Sequence, residues 1–270
     1  MNNTYMYREF NNYLLDKRIS KPHKNTRYAT QGVTLVNDEI FVTYYDTDKL
    51  KNSIVDIIRK DDHITFELDN KSHVGGISYS KDYNSIFVSN NSYVNTYDLN
   101  DLRDKKHGDT LILSNKIKVH EEVGIASYLT VFGKNLYVGR FNKDKATKLA
   151  VYDLTDEGVK FNKLLDVPFK KLQGMCIYKF NGNLYYIFSS SYGRRSNSYI
   201  IVSRLIDGKF KKIKEFAVPS MLEQISVSDK SLMMVFESDC SKYNENIFNS
   251  AKEKINNIIY LDIEKLLTNC

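Results

Sequence analysis

The stretch Leu172–Arg195 reads LQGMCIYKFNGNLYYIFSSSYGRR. Gln173 to Phe180 is a mostly apolar run of strand length. Asn181-Gly182-Asn183 supplies a tight turn, with a glycine where a positive φ is needed. Leu184 to Phe188 is an aromatic-rich second strand. It breaks into Ser189-Ser190-Ser191-Tyr192-Gly193-Arg194-Arg195, a small and polar exit. A hairpin with a polar entrance and a polar exit is the unit from which the chain is read.

The same plan recurs. Unit one holds Gln31 to Val36, Glu39 to Tyr45, Ser53 to Arg59 and Ile64 to Leu68. Unit two holds His73 to Tyr79, Ser85 to Asn90, Tyr93 to Leu99 and Thr110 to Val119. Unit three holds Ala126 to Phe132, Leu136 to Phe141, Lys148 to Leu154 and Val159 to Val167. Unit four adds Tyr199 to Leu205 and Lys209 to Val218 to the opening hairpin. Unit five holds Glu223 to Val227, Leu232 to Glu237 and Ile258 to Ile263. Gln31-Gly32, Gly75-Gly76, Ala126-Ser127, Gln173-Gly174 and Glu223-Gln224 open the inner strands. Third strands carry Asp56-Ile57, Asp98-Leu99, Asp153-Leu154 and Asp262-Ile263, with Arg204-Leu205 in unit four.

Four short strands per repeat of roughly 40–50 residues is the spacing of propeller blades. In plan the chain resembles the WD40/YVTN-type repeat propellers over residues 30 to 265, without their signature dipeptides. The resemblance implies an all-β five-bladed β-propeller of four-stranded blades, forming one domain over residues 1–270. Unit five is one strand short and Tyr5 to Phe10 is a spare strand-like piece. The expectation is that an N-terminal strand within the lead-in 1–29 closes the ring. The end, 266–270, reads as a tail or part of a short terminal helix.

Composition bounds the function. Lys+Arg 39 against Asp+Glu 33 leaves a net charge of +6. The excess is spread along the chain, without a recognition-helix pattern or zinc-ligand spacing, so nucleic acid is not expected. No apolar run is long enough to span a bilayer. The N-terminus lacks a secretory h-region, which points to a cytoplasmic protein, or an extracellular one if the chain is a trimmed mature form. Three distant cysteines, Cys176, Cys240 and Cys270, make no disulfide framework. A monomer is the simplest expectation for a closed ring.

Hairpin geometry puts the start of each inner strand and the end of the second strand on one face of the disc. The entrances offer Gln31, His73, Ser127 with Tyr128, Gln173, and Glu223 with Gln224. The exits offer Tyr45 with Asp46, Asn90 with Asn91, Arg140, Ser190, Tyr192, Arg194, and Glu237 with Asp239. The opposite ends are ordinary turns. This asymmetry predicts one polar mouth that binds a small polar or anionic ligand.

Glu223 and Glu237 face each other across one hairpin. Such a pair can share a proton, split into acid and base, or hold Ca²⁺ in the channel. The other reading pairs each with Arg140 or Arg194. His73, before Val74-Gly75-Gly76, is a candidate general base, anion contact or metal ligand, or a histidine bonded to channel backbone. Arg140 and Arg194 suit a ligand carboxylate or phosphate. Tyr45, Tyr128 and Tyr192 are candidates for a stacking wall, and Gln31, Asn90, Ser127, Gln173 and Ser190 for polar contacts. The catalytic candidates are thus Glu223, Glu237 and His73, and no metal-ligand set is assigned. As an enzyme the chain reads as a hydrolase of a sugar- or phosphate-containing substrate. The alternative is a non-enzymatic scaffold for a protein or peptide.

Overall fold

The structure, a computed structural model, describes residues 7–60, 62–244 and 250–270. Twenty strands form five antiparallel four-stranded sheets. Blade 1 comprises β2 (Tyr28–Val36), β3 (Glu39–Asp46), β4 (Ile54–Ile58) and β5 (His63–Glu67). Blade 2 comprises β6 (Ile77–Ser80), β7 (Ser85–Asn90), β8 (Tyr93–Asp98) and β9 (Asn115–Lys118). Blade 3 comprises β10 (Tyr128–Phe132), β11 (Asn135–Gly139), β12 (Thr147–Thr155) and β13 (Gly158–Val167). Blade 4 comprises β14 (Leu172–Phe180), β15 (Asn183–Ser190), β16 (Ser198–Ile206) and β17 (Lys209–Val218). Blade 5 runs from β18 (Leu222–Ser228) through β19 (Ser231–Phe236) and β20 (Asn257–Asp262) to β1 (Leu14–Ser20). The fold is the all-β five-bladed propeller that the repeat spacing implies.

The ring closes through an N-terminal strand, although not the one expected. Residues 5 and 6 lie outside the described residues, and Arg8–Tyr13 forms a short helix, α1. Its Phe10 and Tyr13 are buried against blades 4 and 5. β1 is the closing strand and pairs antiparallel with β20. Helix α2 (Ile263–Thr268) follows directly, capped by the Asp262 carboxylate accepting from the Lys265 amide at 2.9 Å.

Apolar side chains fill the spaces between blades. One cluster lies between blades 4 and 5, another between blades 1 and 2, a third between blades 3 and 4. Each inner strand contributes to these layers, so the blades pack apolar face on apolar face. All three cysteines are free. The hairpin turns on the face away from the mouth behave as the sequence requires. Asn181 (φ 47°) and Gly182 (φ 77°) both take positive φ, the type I′ requirement.

The inner strands approach one another closely at the axis. A Cβ on Gly75 would stand 2.4 Å from the Ser127 carbonyl oxygen, and one on Gly174 would stand 2.6 Å from the Gln224 Cα. Only hydrogen fits at these two points, which is why glycine recurs there. The Gln224 side chain ties the strands together. Its Oε1 accepts from the amides of Val33 (3.2 Å) and Ile77 (2.8 Å), and its Nε2 donates to the carbonyls of Ile77 (2.7 Å) and Leu129 (3.4 Å). One buried amide thus links four blades. Among the described residues, no helix is long and apolar enough to cross a membrane.

Candidate functional site

Three inner strands carry a bulge at the same place, the mouth end. In blade 1 the pairing steps from Thr30–Tyr44 to Gly32–Thr43 and leaves out Gln31. In blade 4 it steps from Leu172–Ser190 to Gly174–Ser189 and leaves out Gln173. In blade 5 it steps from Leu222–Phe236 to Ile225–Met234 and leaves out Glu223 and Gln224. A bulged residue is released from the ladder and its side chain is re-aimed. Here the released side chains Gln31, Gln173 and Glu223 all turn into one cavity of 530 Å³ on the axis. Blades 2 and 3 supply His73 and Ser127 from loop backbone just before their inner strands.

Two carboxyls meet in this cavity. Glu223, buried at 4 % exposure, faces the half-buried Glu237 across the cavity. Two carboxylates so placed repel each other, which favours a proton on one of them. Burial first, then the charge and hydrogen bond of Glu237, push Glu223 well above the usual carboxylate range. Burial also raises Glu237, to about 7. Four groups hold Glu237 below Glu223: hydrogen bonds from Tyr243 and Gln31, then the charges of Arg194 and Lys242. The Tyr243 hydroxyl donates to Glu237 Oε2 at 3.1 Å, and Gln31 Nε2 donates to the same oxygen at 3.2 Å. Glu223 Oε1 accepts a long contact from Gln173 Nε2, 3.4 Å. The pair is therefore asymmetric. Glu223 is the more strongly raised of the two, so the shared proton favours Glu223 and the charge favours Glu237.

Aromatic and basic groups frame the pair. Tyr45 and Tyr243 hydroxyls lie 3.3 Å apart, and the Arg194 guanidinium sits 4.8 Å above the Tyr243 ring. Burial first, then Glu237, raise the pKa of both tyrosines, so both stay neutral. The His73 ring lies tilted against Tyr45 with centroids 4.0 Å apart, and its Nδ1 lies 3.3 Å from Gln31 Oε1. Enclosure by the cavity walls, then the positive Lys49 and Lys242, lower the His73 pKa. The ring remains open to the cavity, so His73 is a neutral imidazole within reach of a ligand. Phe141, stacked on Tyr192 at 6.3 Å, adds an apolar wall together with Met221 and Ile125. Val74 also lines the cavity, with φ at 45°, a strained value for a β-branched residue.

The structure thus brings Gln31, Tyr45, His73, Ser127, Gln173, Tyr192, Arg194, Glu223 and Glu237 to one cavity. It does not bring the remaining four there. Tyr128 is fully buried between blades 3 and 4, its ring filling the space a Cβ on Gly139 would need. Arg140 is exposed and lines a different cleft, so it pairs with neither Glu223 nor Glu237. Asn90 pairs with Tyr93 at the start of the β7–β8 hairpin, and Asn91 lines the cavity instead. Ser190 donates to the Lys170 carbonyl at 3.0 Å. Asp46 and Asp239 are paired off with Arg27 and Lys21. Tyr243, unanticipated from the sequence, reaches Glu237 from the long connection between β19 and β20. Among the described residues, no group of three or more His, Cys, Asp or Glu side chains is placed to hold a metal ion. The two carboxylates are the acidic ligands the cavity offers.

No protein-family model matches the sequence, and no curated protein matches it. Similarity to solved structures is in the fold. The glutaminyl cyclase of Myxococcus xanthus superposes with a TM-score of 0.58 at 10% identity, covering 92% of this chain and 94% of that one. A putative 6-phosphogluconolactonase from Bacteroides uniformis gives 0.48 at 13% identity, over 75% of this chain and 62% of that one. A protein of unknown function from Desulfotomaculum acetoxidans gives 0.47 at 10% identity, over 79% and 64%. At these identities the first likeness establishes a shared propeller architecture over nearly the whole of both chains, and the other two carry no further weight.

Proposed function

We infer that the axial cavity is the active site of an enzyme that relays a proton across a small polar substrate. Glu237 is its base and Glu223 its acid. The observation that carries this reading is the meeting of Glu223 and Glu237 in the axial cavity, Glu237 held by Gln31 and Tyr243 and Glu223 by Gln173, with burial raising both carboxyls.

An intramolecular aminolysis suits such a pair, and the whole-chain likeness to a glutaminyl cyclase favours it. An N-terminal glutaminyl residue is the substrate class. Its α-amine attacks its own side-chain carbonyl carbon and forms the ring C–N bond. Glu237 accepts the proton that the amine sheds. Glu223 gives its proton to the departing amide nitrogen, the C–NH₂ bond breaks and ammonia leaves. The pair ends with one proton, now on Glu237, and a transfer between the two carboxyls restores the starting state. Gln31 and Tyr243 orient the base, and Phe141 with Tyr192 covers the substrate.

The test is ammonia release from short glutaminyl peptides, with the cyclised product identified by mass. Glu223→Gln and Glu237→Gln are each expected to lower turnover by about 10²–10⁴-fold while the peptide still binds. A parent protein that binds glutaminyl peptides without releasing ammonia is a binding module, and one that yields only hydrolysed products from other substrates is a hydrolase. Either result ends the cyclisation reading.

A further inference from the structure

A second cleft, of 690 Å³, lies between blades 3 and 4 and shares two walls with the axial cavity. In the first wall, Glu122 and Val123 face the cleft while Ile125 and Ala126 face the cavity. In the second, Arg140 and Asn142 face the cleft while Phe141 faces the cavity. The cleft is therefore part of the face that carries the candidate active site.

Its lining is apolar beneath and basic above. Val123 and Phe210 are buried, at 1% and 5% exposure. Arg140, Lys145, Lys209 and Lys211 are exposed, and none has an ion-pair partner among the described residues. The two acids of the cleft do not neutralise them. Glu122 and Asp166 both bind Lys148, each at 3.3 Å. Four cations gathered at one concavity repel one another and lower the cost of bringing in negative charge. They come from two blades and surround an apolar surface. A single phosphate would meet one or two of them and leave the apolar floor of the cleft at Val123, Val167 and Phe210 without a partner. A chain with carboxylates spaced along it and an apolar side chain between them meets all of them.

We propose that this cleft binds an extended acidic peptide segment, with carboxylates on Arg140, Lys145, Lys209 and Lys211 and an apolar side chain on Phe210. The proposal goes beyond the axial site and does not need that site to be catalytic.

The probe is a labelled hexapeptide alternating Glu with Leu, titrated into the full-length protein and read by fluorescence anisotropy. Binding is expected to weaken at higher salt and to vanish for the peptide with Gln in place of Glu. The double variant Arg140→Glu/Lys209→Glu is expected to bind about tenfold more weakly or worse. Lys116→Glu/Lys118→Glu makes the same charge change on the exposed outer strand β9 and should leave binding unchanged. Lys145→Glu alone, in an exposed loop, should weaken binding about threefold and serves if the double variant does not fold. No binding by the parent protein overturns the proposal. An equal loss in the β9 variant overturns it in favour of diffuse attraction. Displacement of the peptide by an equal concentration of inorganic phosphate overturns it in favour of a phosphate site.

Discussion

Glu237 and Asp239 stand two residues apart at the same end of the same strand, and the fold treats them in opposite ways. Asp239 meets a cation. The fully buried Lys21 amine donates to Asp239 Oδ1 at 2.7 Å, to the Phe236 carbonyl at 2.6 Å and to Thr30 Oγ1 at 3.0 Å. Glu237 meets another acid. Burial pushes Lys21 down and Asp239 up, each against the attraction of the other, so even the matched pair is held at a desolvation cost. What it gains is closure, because Lys21 follows the closing strand β1 and ties it to blade 5. The Glu223–Glu237 pair is also raised by burial, but it faces the axial cavity, and its protein contacts are neutral amides and a hydroxyl from Gln31, Gln173 and Tyr243 rather than a bonded cation. Two raised carboxyls facing each other in a cavity point to chemistry.

The largest effect should come from breaking the matched pair. Lys21→Met leaves Asp239 buried without its cation, and Asp239 Oδ2 already lacks a partner among the described residues. The expected loss is about 3–5 kcal/mol of stability, read from denaturant unfolding. Adding Asp239→Leu to Lys21→Met should recover most of it, because the uncompensated charge is then gone. A loss that the second change does not recover would mean that Lys21 acts through Thr30 and Phe236 rather than through Asp239.

The unmatched pair should respond in the other direction and with pH. Both carboxyls have folded-state pKa values raised above the usual 4.5, Glu237 to about 7. A raised acid stabilises the fold below its unfolded pKa and loses that contribution as pH rises through its folded pKa. Wild type should therefore weaken between about pH 4.5 and 7, relative to a Glu223→Gln/Glu237→Gln variant that cannot ionise. The variant should match wild type near pH 4 and exceed it by about 2 kcal/mol at pH 8, after allowance for the partial exposure of Glu237. Thermal melts across this range decide it. A difference independent of pH would mean the two carboxyls are not sharing a proton.

How much of this was legible in the sequence depends on what each feature needs. The blades were readable because apolar alternation and turn residues are local, and they recur at Gln31-Gly32, Gln173-Gly174 and the Asp-Ile or Asp-Leu pairs of the third strands. The closing strand was not. β1 is the outer strand of its blade, with charged Asp16, Lys17 and Arg18 exposed, and offers little apolar alternation. The more hydrophobic Tyr5 to Phe10 drew the assignment, although its Arg8–Phe10 part packs as a helix. The entrance glutamines and Glu223 were located by register. That they bulge out of the ladder was foreshadowed by Gly following Gln in two strands, a known bulge signal. Parity misled elsewhere: Tyr128 and Arg140 sit at the right ends of their strands but point away from the axis, as a shift of one residue will do. Tyr243 lay beyond any local signal, because a long connection, not a period, brings it back to Glu237.

A smaller effect should come from Asp46, the acid at the corresponding exit of blade 1. Its carboxylate receives Arg27 through two nitrogens, each at 2.5 Å, and the amides of Leu50 (2.9 Å) and Lys51 (2.7 Å). Burial alone would raise its pKa, but the bonds from Arg27 and from the amides of Lys51 and Asp48 outweigh it and hold the group at about 2, below its ordinary 3.8. The sign is opposite to that of Glu237. A depressed acid stabilises the fold above its unfolded pKa, and the contribution is lost as pH falls through the folded value. Asp46→Asn keeps one acceptor for the loop amides and loses the charge, so about 1 kcal/mol of stability should disappear at pH 7. That difference from wild type should shrink below pH 3.8 and vanish near pH 2. The two exits would then titrate in separate windows, Asp46 on the acid side and the glutamate pair toward neutrality. A single common transition in both variants would show that one network, rather than a structural acid and a proton-holding pair, lines the mouth.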